Sequence, residues 1–315
     1  MREAVQLGVR TGSHERASRQ GASCGLLVAV LLVAVLLSAA GCAGGQSPPA
    51  PSADIIIRGA TIVDGSGTSA RRGDVAIKDG TIVAVDEQLS IEAERVIDAK
   101  GRVLAPGFID LHSHSDIPLV TDGNAQSKIR QGVTTEVIGE SGSVAPRKDA
   151  GPGSPWTDFN GYFAALEKNG ISVNVLSYVG LGTVRELVVG EEDRPATAED
   201  VQGMRALVQR ALDQGVFGVS TGLIYPPNAY ASLDELVALS QLAGAANGLH
   251  ASHLRYDGAK LREGLEEIVA IGERGAVPVH IFHVKVTGAR NFGRMKEVIE
   301  IVEAARARGV TVSAD

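Results

Sequence analysis

Cysteine is nearly absent from this 315-residue chain: Cys24 and Cys42 are the only two, and there is a single tryptophan. So few thiols exclude a disulfide framework as the source of stability. Basic residues are also in the minority, 30 Lys and Arg against 37 Asp and Glu, and the formal charge is −7. That balance excludes the strongly basic footprint expected of a nucleic-acid binder. No apolar run reaches the ~20 residues that a membrane-spanning helix needs. The run Leu26–Leu37 stops at twelve. What remains, 44% hydrophobic and 21% charged residues with 38 glycines, is the composition of an α/β enzyme with many tight turns.

The first 41 residues read as an export signal. Arg2, Arg10, Arg16 and Arg19 precede the apolar run, and Ser38-Ala39-Ala40-Gly41 lead into Cys42. Small residues directly before a cysteine resemble a bacterial lipobox, so Cys42 is expected to be the lipidated first residue of the mature chain. The expected location is the bacterial cell envelope, with the membrane touched only through that lipid. Residues 42–53, rich in Gly, Ser and Pro, read as a flexible tether.

Two patterns follow. Residues 54–104 carry short β-branched runs separated by turn residues, with Asp79-Gly80 a strong hairpin signal between Asp74–Lys78 and Thr81–Val85. Gly59 reads as the end of a first strand and Thr61–Val63 as a second. This is a small all-β domain. From residue 105 the rhythm becomes strand, loop, helix, with Gly170, Gly215, Gly275 and Gly309 in helix C-cap positions, and with Ser232 and Glu235 spaced as a capping box. Alternation of this kind predicts βαβ units and a parallel sheet. Seven strands are expected, ending near His114, Gly139, Gly180, Gly222, Arg255, Lys285 and Asp315. The fold class is therefore α/β, a (β/α)₈-type barrel over residues 105–315 with its eighth strand missing, which reads as a truncated sequence.

Six of the seven histidines fall in three pairs, His112/His114, His250/His253 and His280/His283, each at the C-terminal part of an expected strand. Barrel enzymes build their sites there. Two residues apart on a strand, His112 and His114 would share a face and could hold one Zn²⁺. In the other pairs strand parity selects His253 and His283 as inward-facing, with His250 and His280 turned outward. Glu140, at the end of the second barrel strand, could bridge two metal ions or complete one site.

These residues resemble the amidohydrolase superfamily and, within it, the N-acyl-D-amino-acid deacylases. The resemblance runs from about Ala53 to Asp315. Ile57–Gly65 looks like the family's small β-domain, and Ala105–His114 like its first barrel strand. More specific are Ser220–Pro227, Ser252-His253-Leu254-Arg255 and His283-Val284-Lys285. The resemblance implies a zinc-dependent hydrolase with one or two Zn²⁺, cleaving the amide bond of a small-molecule N-acyl-D-amino acid. His112 and His114 would bind one metal and His253 and His283 the other. Tyr225, Arg255 and Lys285 would contact the substrate's carboxylate or scissile carbonyl.

The chain departs from the family pattern in two places. Where the deacylases carry a bridging cysteine in Gly-Asn-Cys-Gly, this chain reads Gly139-Glu140-Ser141-Gly142. Aligned from Gly139, Ser141 takes the cysteine's place. Counted back from Ala145-Pro146, Glu140 does, and Glu140 is preferred because a carboxylate can bridge two metals. The family's general acid/base is an aspartate in a Ser-Asp-Gly motif after the eighth strand, and that motif does not occur in this sequence. Two alternatives remain open. One is another cyclic-amide or dipeptide amidohydrolase. The other is an inactive lipoprotein that binds metal or ligand without turnover.

Overall fold

The computed structural model describes residues 52–315. The expected export signal, Cys42 and most of the expected tether lie outside the described residues. The described chain divides into two compact units, with the boundary between Pro106 and Gly107.

The N-terminal unit is a five-stranded sheet of β1 (Ser52–Ile62), β2 (Arg71–Lys78), β3 (Thr81–Asp86), β4 (Glu92–Asp98) and β5 (Val103–Leu104). Its order is β3-β2-β1-β4, with β5 also pairing β1. Strand β1 starts inside the residues expected to be tether, because Ser52 and Ala53 pair with Glu92 and Ala93. Gly59 does not end a strand. It sits at φ +64° where the β1–β2 register shifts between Ile57 and Ala60, so one bulged strand replaces the two expected. Asp79 and Gly80 both take positive φ, as a tight hairpin requires. Ala60, Ile62, Val75 and Ile77 form a core on one side of the sheet, and Ala53, Ile56 and Ala76 pack on the other.

The C-terminal unit holds seven strands: β6 (Phe108–Asp110), β7 (Val133–Ile138), β8 (Asn174–Gly180), β9 (Gly218–Gly222), β10 (Leu249–His253), β11 (Val279–Ile281) and β12 (Val312–Ala314). They stand in sequence order, every neighbour pair parallel. Eight helices accompany them: α1 (Pro118–Thr121), α2 (Gln126–Ile129), α3 (Phe159–Asn169), α4 (Leu181–Val188), α5 (Ala198–Asp213), α6 (Leu233–Ala245), α7 (Leu261–Gly275) and α8 (Met295–Ala307). The expected α/β class and parallel barrel-type sheet are therefore present. Among the described residues no helix is long and apolar enough to cross a membrane.

Alternation along the strands sorts the core into two layers. Ile138, Val179, Val219 and Ile281 pack outward with helix residues such as Leu236 and Ile268, while Val137, Tyr178, Ala251 and Phe282 form the inner cluster. The sheet is curled. Lying flat, β6 and β12 would stand roughly 29 Å apart at ~4.8 Å per strand. Yet His112 Nδ1, after β6, lies 3.2 Å from Asp315 Oδ2, after β12. Helix ends follow the glycine pattern at Gly170, Gly215 and Gly309, all at positive φ. At α7 the helix runs through Gly275 and Ala276 takes the left-handed position instead. Ser232 caps α6 by accepting from the Glu235 amide, but the Glu235 side chain pairs with Arg185 rather than closing a box.

Candidate metal centre

Four strands deliver the centre. β6 ends at Asp110, so His112 and His114 sit on the bend beyond it and not on a strand face. β7 ends at Ile138, and Gly139 then turns the chain at φ +90°. A Cβ at Gly139 would lie 2.5 Å from the Tyr178 carbonyl oxygen, so only glycine fits a turn that aims Glu140 at the histidines. His253 is the last residue of β10, on the inward face with Ala251.

His283 arrives by a different route from the one parity suggests. Val279 and Ile281 of β11 belong to the outer layer, so His280 and Phe282 occupy the inward parity. β11 stops at Ile281, and His283 reaches the centre through a turn with its own φ at +38°. The expectation for His280 is therefore overturned. Its ring lies beside Phe282, with Nδ1 2.8 Å from Ser313 Oγ and Nε2 3.7 Å from Asp315. His250 does face outward, buried between Thr221 and Ser240 of α6.

Glu140 stands at the middle. Its Oε2 lies 2.6 Å from His112 Nε2 and 3.0 Å from His114 Nε2, and its Oε1 lies 3.9 Å from His253 Nδ1 and 3.8 Å from His283 Nε2. One carboxylate oxygen thus faces each histidine pair, and the five side chains form two groups able to hold an ion, sharing Glu140. Ligand atoms around a tetrahedral Zn²⁺ at 2.0–2.1 Å are about 3.3 Å apart, inside the range spanned here. His253 Nε2 is buried with no hydrogen-bond partner. The donor set, neutral nitrogen and carboxylate oxygen, suits zinc.

Electrostatics agree with that use at His253 and Glu140, and shift His112 the other way. Burial, the nearby His283 and Lys285 push the His253 imidazole down to about 4, so it is neutral at pH 7 as a ligand must be. The hydrogen bond to Glu140 raises His112 despite partial burial. Burial opposes ionisation of Glu140, but the hydrogen bond from His112 and the surrounding imidazoles hold its carboxyl below the usual range. This carboxylate is therefore charged at neutral pH.

A cavity of about 430 Å³ opens over the group, lined by His112, His114, Glu140, Ser141, Tyr225, His253 and His283. Of the three residues expected to meet substrate, only Tyr225 lines it, half-exposed and edge-on to His253 at 5.6 Å. Lys285 sits behind His283, 3.0 Å from its Nδ1, and pairs with Asp257 at 3.2 Å. Arg255 is committed elsewhere: it grips Glu267 with Nε and Nη2 and donates to the Ala229 and Ala231 carbonyls. Its guanidinium fixes the loop that follows Tyr225. Ser141 lines the same cavity and accepts from Asn228 Nδ2 at 3.0 Å. The carboxylate of Asp315 meets His112, a pairing with no local signal in the sequence because the two lie 203 positions apart.

The profile of the amidohydrolase family matches residues 95–306. The chain is 38% identical over 267 residues to the D-aminoacylase of Alcaligenes xylosoxydans xylosoxydans, covering 81% of this chain and 55% of that protein. It is 40% identical over 268 residues to the N-acyl-D-aspartate deacylase of the same organism, covering 81% and 54%. Among solved structures, it resembles the N-acyl-D-glutamate deacylase of Bordetella bronchiseptica, crystallised with zinc and a phosphonate mimic of the tetrahedral intermediate. That match has a TM-score of 0.78 at 34% identity, covering 84% of this chain and 58% of the other. The chain spans about half the length of the curated relatives it matches.

Proposed function

The chain belongs to the amidohydrolase family, and from that membership we propose that it carries the metal-binding and substrate-facing part of a zinc-dependent hydrolase that cleaves N-acyl-D-amino acids to a carboxylate and a D-amino acid. The observation that carries the reading is Glu140, with one oxygen on His112 and His114 and the other toward His253 and His283. The relatives' substrates supply the substrate class.

These five residues would hold one or two zinc ions. A metal held there supplies Lewis acidity and lowers the pKa of a bound water toward about 7. The chain's own residues then have separate tasks. Ionised Glu140 balances charge at the centre of the imidazoles. Neutral His253 donates a lone pair without first losing a proton. Tyr225 presents its hydroxyl from the cavity wall, where it can donate to a carbonyl oxygen of the bound amide. Arg255 holds the Tyr225 loop in place from behind. The resemblance assigns proton transfer to an aspartate after an eighth strand, so no described residue is given that role.

The test is zinc content together with hydrolysis of N-acetyl-D-amino acids, their L-enantiomers and a cyclic amide by the full-length protein. Zinc-dependent, D-selective release of the amino acid is expected. Equal turnover of L-substrates, or turnover of the cyclic amide alone, would overturn the substrate class, and absence of bound zinc would overturn the centre. The proposal extends to export and lipid attachment at Cys42, supported by the run Leu26–Leu37 and the small residues before the cysteine. Labelled palmitate should be incorporated by the wild-type protein in a bacterial host and lost in Cys42→Ser.

A further inference from the structure

The metal-facing histidines His112 and His114 lie beyond the end of β6, where a single main-chain bond, from the Ser113 amide to the Val137 carbonyl, ties the bend to β7. Behind them is a charged cluster on the opposite side of the sheet. Glu136 is fully buried on β7, its parity shared with the outward Ile138 and opposite to the inward Val137. Its register partner on β6 is Asp110, which sets two carboxylates side by side. Like charges directly opposite on neighbouring strands repel. Lys128 of α2 lies between them, with Nζ 2.5 Å from Asp110 Oδ2 and 3.6 Å from Glu136 Oε2.

The cluster grips the histidine bend on both sides of His112. Asp110 Oδ1 accepts from the His112 amide at 3.1 Å. Ser113, between the two histidines, donates its hydroxyl to Glu136 Oε2 and accepts from Lys128 Nζ at 3.2 Å, while its amide donates to the Val137 carbonyl at 3.0 Å. The second oxygen of Glu136 is buried with no hydrogen-bond partner. Well-packed apolar residues of similar volume are often no less stable than such a buried ionic group, so stability alone does not account for it.

We propose that Glu136, Lys128 and Asp110 are positioning residues for the His112/His114 metal site, acting through the Ser113 hydroxyl and the His112 amide. The inference rests on the metal-centre reading above. The cluster touches neither metal nor substrate. It holds two imidazoles at the spacing a single ion requires, and outer contacts of this kind are worth about 10- to 100-fold in metal affinity. The pair His253/His283 rests on β10 and on the turn after β11, and makes no contact with the cluster among the hydrogen bonds of the described residues.

The experiment is zinc affinity, by competition with a chromophoric chelator, for Glu136→Gln and Lys128→Met in the full-length protein. The two sites are read separately by placing each variant in a His283→Ala or a His114→Ala background. Weakening of about 10- to 100-fold is expected at the His112/His114 site, with less than about 2-fold change at the other. Ser113→Ala, which removes only a hydroxyl, should weaken the same site by a smaller factor and guards against loss of folding in the charge variants. Unchanged affinity at both sites, or equal weakening at both, overturns the proposal while the metal-centre reading stands. Failure of the wild-type protein to bind zinc would remove both, and the parent titration distinguishes the two failures.

Discussion

His250 shows how a histidine beside a metal centre can serve the fold instead. Its ring is fully buried, and burial pushes its pKa down to about 3. With the proton on Nδ1, the ring donates to Ser240 Oγ at 2.7 Å and Ser240 donates to the Leu236 carbonyl at 2.6 Å, while Nε2 lies 3.0 Å from Thr221 Oγ1, whose hydroxyl donates to Ser252 Oγ at 2.8 Å. Every donor then has an acceptor in the neutral state. The pH consequence has a definite sign. The unfolded imidazole, near 6.5, binds a proton that the folded one refuses. Stability from this group is complete above about pH 6.5 and is lost as pH falls toward 3, at about 1.4 kcal/mol per unit. Urea unfolding at pH 7 and pH 5 checks it. His250→Gln should be less stable at pH 7, by about 1–3 kcal/mol for the broken hydrogen bonds. It should also lose about 2 kcal/mol less than wild type between the two pH values. Equal losses would show that His250 is charged in the folded protein.

At the scale of elements, the strands were legible in the sequence and the ends of the strands were not. Seven apolar runs, all but the first introduced by a helix end, are enough to place β6 through β12, because alternation and capping are local. Glu140 and His253 were legible as well, since one lies two residues past a strand end and the other ends a strand. Parity failed at β11, where the chain leaves the ladder after Ile281 and His283 adopts a left-handed conformation that no spacing rule contains. Nor does any spacing rule foresee what holds Arg255, whose partner Glu267 and carbonyl acceptors belong to a helix and a loop that sequence does not juxtapose. The turn after β7 gives the sharpest element-scale prediction. Gly139→Ala adds a Cβ 2.5 Å from the Tyr178 carbonyl at φ +90°, so the turn has to shift and carry Glu140 with it. A loss of about 1–3 kcal/mol in unfolding free energy is expected, together with weaker zinc binding at both sites. Wild-type zinc affinity in that variant would mean that Glu140 does not depend on the turn.

For the whole molecule, the centre joins parts of the barrel that the sheet alone does not. Its candidate ligands lie at or just past the ends of β6, β7, β10 and β11, and two intervening strands, β8 and β9, contribute none of the five. An ion shared by Glu140 and the His253/His283 pair therefore ties the β6–β7 edge to the β10–β11 segment across the inside of the curl. Such a tie exists only in the folded chain, so zinc should stabilise the protein by mass action, reaching about 4 kcal/mol when free zinc is ~1,000 times its dissociation constant. For a chain of this size that corresponds to a rise of roughly 10 °C in unfolding temperature. Calorimetry of the full-length protein across a zinc titration, beside a chelator-treated sample, measures it directly. The shift should grow with the logarithm of free zinc and fall sharply in Glu140→Ala, which removes the one carboxylate common to both groups. A temperature that stays fixed from chelator to saturating zinc would mean that the two histidine pairs do not act as a folded-state metal site. A rise that persists undiminished in Glu140→Ala would leave the imidazoles as ligands but deny the carboxylate its bridging place.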